Sequence, residues 1–414
     1  MIIGVPKEIK NNEFRVGLTP KSVTNIASEG HDVLIESNSG LEIGYTNKDY
    51  ESSGAKIINS AEEVYRSSEL IVKVKEPLIS EFKFLSKDTT LFTYLHLAGN
   101  KEQSLKLAET GVTGIAYETV TSDDGTLPLL SPMSSIAGQL SIIVGSYFLL
   151  KHNNGKGTLI GDVTNLDPRV VTVIGAGVAG TEAISKALSN GAYVKIVELS
   201  ENRLSELKVK FGNKNIEYIK SSEQNILKAI KGSDIVVGSV YVVGKKAPHV
   251  VSRDMINEMK PGTIMVDISI DQGGCFETSK TTTHDDPTYL INGVVHYCVA
   301  NMPGSVPLTA TESLNEATLP YVLDIANKGL EDSLKSDINL FNGLNIKNNE
   351  IVHESVKESF SIWRNCWYFY FLFLLHHVVE VKNLYPLKKY LIQKLSFQFK
   401  ISNRLNLKKV ENMK

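Results

Sequence analysis

The segment from Val170 to Glu198 constrains the fold of this chain more than any other. An apolar run, Val170–Ile174, leads into the turn Gly175-Ala-Gly-Val-Ala-Gly180, and a helical pattern follows over Gly180–Asn190. A second apolar run, Ala192–Val197, then ends at the acid Glu198. A G-x-G-x-x-G pattern is weak alone, but the strand before it, the helix after it and the later acid together indicate a dinucleotide-binding βαβ unit.

Each part of this unit has a role in holding a dinucleotide. Gly175 allows a tight turn, Gly177 lets the backbone approach a pyrophosphate, and Gly180 permits close packing of helix on strand. The helix N-terminus supplies free N–H groups and the positive end of a helix dipole. Glu198 can accept hydrogen bonds from ribose hydroxyls and would repel a 2′-phosphate, which favours NAD over NADP. Arg203 lies near enough in sequence to weaken this preference but not to reverse it.

The pattern of the remaining chain predicts an α/β protein with two doubly wound domains. Short apolar runs alternate with helical patterns both before residue 130 and after Val170, and a helical pattern over Pro307–Lys328 can return the chain to the first domain. We therefore expect a Rossmann NAD-binding domain at 131–304, inserted in a discontinuous α/β substrate domain formed by 1–130 and 305–360. Strands are predicted in the first domain at Ile2–Val5, Asp32–Glu36, Leu70–Val74, Thr90–Tyr94 and Gly114–Ala116, and a long helix is predicted over Ser134–Leu150.

Composition argues against several classes of function. The 414 residues include 44 basic and 46 acidic side chains, and this balance gives no reason to expect nucleic acid or an anionic membrane as a partner. Three cysteines are too few and too irregularly spaced for a disulfide framework or a zinc site, so no metal is expected. The N-terminus does not have the pattern of a signal peptide, and no run reaches the roughly 20 apolar residues that span a bilayer. A cytoplasmic protein is expected.

Four separated residues are candidates for a substrate site, and each has an ordinary alternative. Arg15 follows the first strand and could bind a carboxylate with its two-pronged guanidinium, although a solvated loop arginine is commoner. Lys75 and His96 end apolar strands, where open α/β sheets bind ligands, although a solvated lysine and a core histidine are commoner. Asp271 precedes two glycines and could transfer protons or only form a turn. No single one of the four is decisive.

Taken together and in this order, these residues and their neighbours resemble the L-alanine dehydrogenase family. The similarity covers about residues 1–360, and its last two blocks are highly specific. The matching blocks are Gly4-Val-Pro-Lys-Glu, Arg15-Val-Gly-Leu-Thr-Pro, Val74-Lys-Glu-Pro, Tyr94-Leu-His-Leu-Ala, Pro132-Met-Ser, the glycine turn, Asp271-Gln-Gly-Gly-Cys-Phe-Glu-Thr and Gly293-Val-Val-His-Tyr-Cys-Val-Ala-Asn-Met-Pro-Gly.

The resemblance implies an enzyme that uses NAD to convert L-alanine reversibly to pyruvate and ammonia, usually as a homohexamer. Arg15 and Lys75 would hold the substrate carboxylate and carbonyl. His96 and Asp271 would form the acid/base pair, and which of the two activates water stays open. The implied cofactor site is lined by Ser134, Gly175, Gly177, Val178, Ala179, Gly180, Glu198, Arg203, Ser221, Val240, Tyr241, Ile268, Val299, Asn301 and Met302.

Two departures from the family pattern bear on function. Glu198 replaces the more usual aspartate and is longer by one methylene, which shifts the hydroxyl contacts but keeps the preference for NAD. The resemblance stops near Ser359–Ser361, and the aromatic and then basic segment 361–414 is an atypical tail that we expect to be poorly ordered. Two alternatives stay open: the NAD(H)-binding subunit of a transhydrogenase, and a catalytically silent NAD-binding protein. Retention of His96 and Asp271 and the lack of a membrane portion speak against the first, and the presence of all four candidate residues speaks against the second.

Overall fold

The computed structural model describes residues 1–161, 163–242 and 246–360. The chain divides into two units between Ser359 and Phe360, and the following account concerns the first unit, Met1–Ser359. The predicted tail, 361–414, lies outside the described residues. Within the ranges described, no helix is both long enough and apolar enough to cross a membrane.

Fifteen strands in the described chain form two sheets. In chain order they are β1 (Ile2–Val5), β2 (Asp32–Glu36), β3 (Lys56–Ile58), β4 (Leu70–Val72), β5 (Thr90–Thr93), β6 (Thr113–Ala116), β7 (Val170–Ile174), β8 (Tyr193–Glu198), β9 (Ile216–Lys220), β10 (Ile235–Gly238), β11 (Ile264–Asp267), β12 (Thr288–Ile291), β13 (Val294–Tyr297), β14 (Leu344–Lys347) and β15 (Glu350–Ile351). The first sheet has the order β15-β14-β6-β5-β4-β1-β2-β3, and the second has the order β12-β13-β11-β10-β7-β8-β9.

Helices connect successive strands in both sheets. They are α1 (Pro20–Ser28), α2 (Asn47–Ser52), α3 (Ala61–Ser67), α4 (Lys101–Glu109), α5 (Ser131–Phe148), α6 (Val178–Ser189), α7 (Glu201–Phe211), α8 (Glu223–Lys231), α9 (Arg253–Asn257), α10 (Pro307–Lys328), α11 (Leu330–Ser336) and α12 (Ile338–Phe341). The predicted α/β fold is therefore confirmed, and β14 and β15 join the first sheet after the chain has formed the second.

The two sheets share one feature that locates ligand sites. In each, the parallel strand order reverses beside the first strand, because β1 pairs with both β2 and β4, and β7 pairs with both β8 and β10. Doubly wound sheets bind ligands outside the carboxyl ends of the strands at this reversal. The loops after β1 and β4 carry Arg15 and Lys75, and the loop after β7 is the glycine turn. Both candidate sites therefore lie at the expected sheet edges.

One predicted strand ends earlier than its apolar pattern suggested. The run Leu70–Val74 was expected to form a single strand, but β4 ends at Val72. The reason is a buried carboxylate: Glu8 Oε1 accepts hydrogen bonds from the backbone N–H groups of Val74 (2.7 Å) and Lys75 (3.2 Å). These two N–H groups therefore bond to a side chain, and the chain leaves the sheet one residue before Val74.

Close packing of α5 on α6 joins the long helix to the glycine turn. A side-chain carbon placed on Gly138 of α5 would lie far inside van der Waals contact of the Ala179 carbonyl oxygen at the start of α6. Glycine at position 138 therefore allows the two helix backbones to approach each other. The approach holds the N-terminus of α6 against the second sheet.

We expect Gly138→Ala to lower the free energy of unfolding by about 1–3 kcal/mol, because the methyl group forces the two helices apart. The higher helix propensity of alanine offsets only about 1 kcal/mol of this loss. Urea unfolding measures the change. Gly177→Ala is the matched control, since a carbon added at Gly177 meets no atom within 4 Å. Equal stability of the two variants would contradict the packing argument.

Candidate active site

Arg15 is buried, and two of its three guanidinium nitrogens are bonded to side-chain oxygen atoms. Its Nε and Nη2 donate to the two carboxylate oxygens of Glu13, at 2.7 and 2.5 Å, and Nη2 also donates to Asn301 Oδ1 at 2.6 Å. Nη1 faces only the thioether sulfur of Met133, at 3.1 Å. The alternative of a solvated loop arginine is wrong, because Arg15 is only 2% exposed. The bidentate partner in this structure is Glu13.

The ion pair strongly affects the titration of Glu13. Burial by itself raises the pKa of this carboxyl, but the charge and hydrogen bonds of Arg15 outweigh it, and Lys75 and Asn301 act in the same direction. The net effect lowers the pKa of Glu13 from 4.5 to about 2. Asn301 belongs to the loop after β13, and its amide Nδ2 donates to Glu13 at 2.8 Å. A loop of the second sheet is thus bonded directly to the loop that carries Arg15.

Lys75 is also buried, so the alternative of a solvated lysine is wrong as well. Its backbone is held by Glu8, which in turn lies 3.3 Å from the ammonium group of Lys73. Lys73 bonds a second carboxylate, Glu81, at 3.1 Å. Lys73 and Lys75 therefore have different surroundings: Lys73 is neutralised by two glutamates, while Lys75 lines a cavity.

His96 follows β5 with an unusual backbone. Its φ of 46° lies in the left-handed region, which few residues other than glycine, asparagine and aspartate adopt readily. Glu118, which is buried, stabilises this turn by accepting the N–H of His96 at 2.6 Å and that of Leu95 at 3.3 Å. The imidazole stacks on the ring of Tyr94, with centroids 5.7 Å apart. The backbone and the ring are thus both held in place.

Asp271 lies in the short 3-10 segment Ile268–Gln272 that follows β11. The buried carboxylate of Asp267, at the end of β11, anchors this segment. It accepts the N–H of Ser269 at 2.9 Å on one oxygen and the N–H of Cys275 at 2.9 Å on the other. Asp267 therefore closes both ends of the loop, in which Asp271 is exposed.

Three of the four candidates meet at one cavity. Lys75 and His96 from the first sheet and Asp271 from the second line a cavity of about 240 Å³. A neighbouring cavity of about 230 Å³ shares His96 and Asp271 and is also lined by Tyr241. Arg15 lines neither cavity. Its partner Glu13 lies near Lys75, because the charge of Lys75 contributes to the lowered pKa of Glu13. The candidate active site therefore lies between the two sheets.

The glycine turn has the geometry that a dinucleotide requires. Gly175 has φ 87°, and a side-chain carbon at Gly180 would collide with the carbonyl oxygen of Gly175. Gly177 faces open space, and α6 begins directly after it at Val178. The N–H groups in the first turn of a helix have no acceptor within the helix. Turn and helix together thus fit a pyrophosphate.

Glu198 and Arg203 are both bonded to this turn. Glu198 Oε2 accepts the N–H of Ala176 at 2.8 Å, and Arg203 Nε donates to the Ala176 carbonyl oxygen at 2.9 Å. Arg203 also bonds Thr181 and Glu206. The guanidinium is therefore occupied by protein groups, and the acid at the end of β8 stands beside the turn as a ribose-binding carboxylate would.

The remaining predicted cofactor residues follow other strands of the same sheet. Since these strands are parallel, the residues after β9, β10, β11 and β13 reach one edge. Val178 and Ala179 begin α6, and Ser134 lies in α5. The side chains of Val299 and Met302 are buried in the core, so a ligand could reach only their backbone. The predicted cofactor residues that follow β9, β10, β11 and β13 are Ser221, Val240, Tyr241, Ile268, Val299, Asn301 and Met302.

Five acidic residues at the site were not among the predicted ones. Glu13 stands two residues before Arg15, Glu8 lies in the Gly4-Val-Pro-Lys-Glu block, and Glu76 follows Lys75, so their positions in the matching blocks were an available signal. Glu118 and Asp267 had no such signal. Their roles depend on contacts with backbone N–H groups that are distant in the chain or lie on the opposite side of a loop.

Comparison with known proteins places the chain among relatives of the same architecture. Residues 4–137 match the N-terminal domain of alanine dehydrogenase/PNT, and residues 141–354 match its C-terminal domain. The chain belongs to the alanine dehydrogenase/PNT family. It is 48% identical to an alanine dehydrogenase of Staphylococcus haemolyticus over 87% of this chain and 97% of the relative. It is 44% identical to an alanine dehydrogenase of Mycolicibacterium smegmatis, over 87% of this chain and 97% of that relative.

Two solved structures align with this chain over most of its length. An L-alanine dehydrogenase aligns with a TM-score of 0.82 and 46% identity, covering 87% of this chain and 99% of the other. A transhydrogenase from Sinorhizobium meliloti aligns with a TM-score of 0.71 but only 23% identity, covering 85% and 99%. The second comparison shows the shared fold alone.

We expect Glu13→Gln to lower the free energy of unfolding at pH 7 by about 3–5 kcal/mol, because Arg15 is left buried without its counter-charge. A carboxyl whose pKa falls from 4.5 to about 2 on folding stabilises the fold above pH 4.5. That contribution is lost as the pH falls through this window towards 2. The difference in the free energy of unfolding between wild type and Glu13→Gln should therefore become smaller between pH 4.5 and pH 2.

Urea titrations at pH 7, 4.5 and 3 measure this difference. Glu62→Gln is the control, because Glu62 pairs with Arg66 on the exposed surface of α3 and its removal should change stability by less than about 0.5 kcal/mol. If the free energies of unfolding of wild type and Glu13→Gln differ by the same amount at every pH, the ion pair does not titrate as described.

Proposed function

We propose that this chain catalyses the reversible conversion of L-alanine, NAD and water to pyruvate, ammonium and NADH. The observation that carries the proposal is the cavity between the two sheets at which Lys75, His96 and Asp271 meet. The identity of 46–48% to alanine dehydrogenases over nearly their whole length supports the choice of substrate.

The substrate carboxylate is held by the cations of the first sheet. Among the residues that the structure describes, Nη1 of Arg15 bonds only the thioether of Met133, and a thioether is a weak acceptor that a carboxylate can replace. The other guanidinium nitrogens stay on Glu13 and Asn301, which keeps the fork oriented. Lys75 supplies a second buried cation for the carbonyl oxygen of pyruvate. Two fixed cations orient the reacting carbon and restrict its motion.

His96 and Asp271 are the proton-transfer groups of the proposal. The substrate amine must lose a proton as it becomes an imine, and water must lose one as it adds to the imine carbon. A histidine and an aspartate at the same cavity can receive these protons and return one to the departing ammonia. Which of the two activates water stays open.

NAD, when bound, supplies the acceptor for the hydride from the alanine Cα. Gly175, Gly177 and Gly180 would hold its pyrophosphate, and the Glu198 carboxylate would accept the ribose hydroxyls and repel a 2′-phosphate. The loop with Tyr241 borders a cavity that also contains His96 and Asp271, which would place the cofactor beside the reacting carbon. The proposal includes a homohexamer in the cytoplasm, as the family resemblance implies, and light scattering tests the assembly.

Production of NADH from NAD with L-alanine tests the substrate assignment. We expect turnover with L-alanine to exceed that with L-lysine, L-glutamate and L-serine by at least about tenfold, since a cavity of about 240 Å³ and two cations suit a small amino acid. NADP should be a poorer acceptor than NAD. Equal rates with all four amino acids, or no rate with any, would overturn the proposal.

His96→Asn should lower kcat by about 10²–10⁴ and leave NAD affinity within about twofold, because the imidazole transfers protons and does not border the glycine turn. Asparagine suits this position because it tolerates the left-handed backbone, whereas His96→Ala adds strain to the loss of the ring. His152→Asn, in the exposed 3-10 turn Lys151–Asn153 that follows α5, is the control. Unchanged turnover in His96→Asn would remove His96 from the mechanism.

A further inference from the structure

The active-site cavity contains a further titratable residue, Glu76, which follows Lys75. Its two oxygens have different surroundings. Oε1 accepts a hydrogen bond from Lys10 Nζ at 2.6 Å. Oε2 is buried and has no hydrogen-bond partner among the residues that the structure describes. Lys10 therefore fixes the orientation of the carboxylate and leaves one oxygen available.

His96 presents a second atom of the same kind. Its Nδ1 is buried and has no partner within the described ranges. Buried polar atoms are nearly always hydrogen-bonded, and leaving one unpaired costs about 1–3 kcal/mol. Glu76 and His96 both line the cavity that also contains Lys75 and Asp271. Two such atoms at one cavity indicate a small polar ligand that donates hydrogen bonds.

The charges around Glu76 restrict what that ligand can be. Burial raises the pKa of Glu76, but Lys75, His96 and Lys10 outweigh it, so the net pKa is lowered and the carboxylate is ionised at neutral pH. Lys10 and Lys75 place two positive charges at the cavity, and the acidic side chains of Glu76 and Asp271 offset them. Attack on a carbonyl carbon needs an unprotonated lone pair, so the reacting ligand is a small neutral molecule with N–H or O–H donors.

We propose that Glu76 Oε2 and His96 Nδ1 form the ammonia-binding subsite of the enzyme, a proposal that rests on the function proposed above. Ammonia has three N–H donors and one lone pair. It can donate to both atoms while the lone pair points at the carbonyl carbon of pyruvate. Attack forms the C–N bond, moves the carbonyl π pair onto oxygen, and transfers one proton from nitrogen to that oxygen by way of the two acceptors. The product is the carbinolamine, which then loses water to give the imine.

Water can donate the same hydrogen bonds as ammonia. The kinetics of the reductive reaction, in which pyruvate is aminated, distinguish ammonia from water as the ligand. Pyruvate, ammonia and NADH are independent reactants there, so each has its own KM. Glu76→Gln is the informative variant: Lys10 will retain the amide oxygen, which turns the –NH2 group towards the cavity and replaces an acceptor with a donor. Initial rates with each reactant varied in turn give the three KM values.

We expect Glu76→Gln to raise the KM for ammonia by about tenfold or more, the effect of losing one hydrogen bond to a charged group. The KM values for pyruvate and NADH should stay within about twofold. Glu76→Asp keeps the carboxylate and should restore part of the affinity for ammonia. The matched control is Glu102→Gln, because Glu102 also pairs with a lysine, Lys106, but on the exposed surface of α4. All three KM values should be unchanged in the control.

Several results would overturn the subsite. One is an unchanged KM for ammonia in Glu76→Gln, and another is a rise of the pyruvate KM in parallel with that of ammonia. If the only effect is a lower kcat for alanine oxidation, Glu76 Oε2 and His96 Nδ1 bind water and not ammonia. If Glu76→Gln does not fold, an ammonia KM in Glu76→Asp equal to that of wild type excludes the subsite. If the wild-type chain does not oxidise NADH with pyruvate and ammonia, both the proposed function and the subsite are overturned. If the wild type is active but the variants do not show the predicted change in the KM for ammonia, only the subsite is overturned.

Discussion

The ion pair between Glu13 and Arg15 is the interaction on which the arrangement of the site depends. Both side chains are almost completely buried, and the pair is completed by Asn301 from a loop of the second sheet. A buried charge is tolerated only when it is paired and its remaining donors are bonded. The cost of separating these groups is therefore high. The pair fixes the loop after β1 against the loop after β13 and thereby defines the position of one sheet edge relative to the other.

The same principle applies at the other candidate residues. Glu8 holds the backbone at Lys75, Glu118 holds the left-handed turn at His96, and Asp267 closes the loop that carries Asp271. Each carboxylate accepts backbone N–H groups that the end of a strand leaves without a sheet partner. Hydrogen bonds to a charged acceptor are stronger than those between neutral groups, so they suit loops whose conformation is otherwise strained. The candidate site residues are thus held in position by carboxylates that take no part in the proposed reaction.

Much of the fold was accessible from the sequence. The bounds of β1, β2, β7 and α10 agree with the predicted segments because these elements have clear periodicity and clear ends, such as Pro307 at the start of α10. The short strands β3 and β15 were not predicted, since three or two residues carry no measurable alternation. The end of β4 was predicted two residues late, because Glu8, which terminates it, is 64 positions from Val72 in the chain.

Sequence alone determined the α/β class, the glycine turn and the identity of the four candidate side chains. These depend on local order: a period of two or 3.6 residues, a glycine where φ must be positive, and a block of residues that stays together along the chain. The tertiary structure decided which of them share a cavity and that the partner of Arg15 is Glu13. It also decided that Glu76, at the cavity that His96 lines, has a buried oxygen with no partner among the described residues. Burial and pairing arise between residues that are distant in the chain, and the tertiary structure is what brings them together.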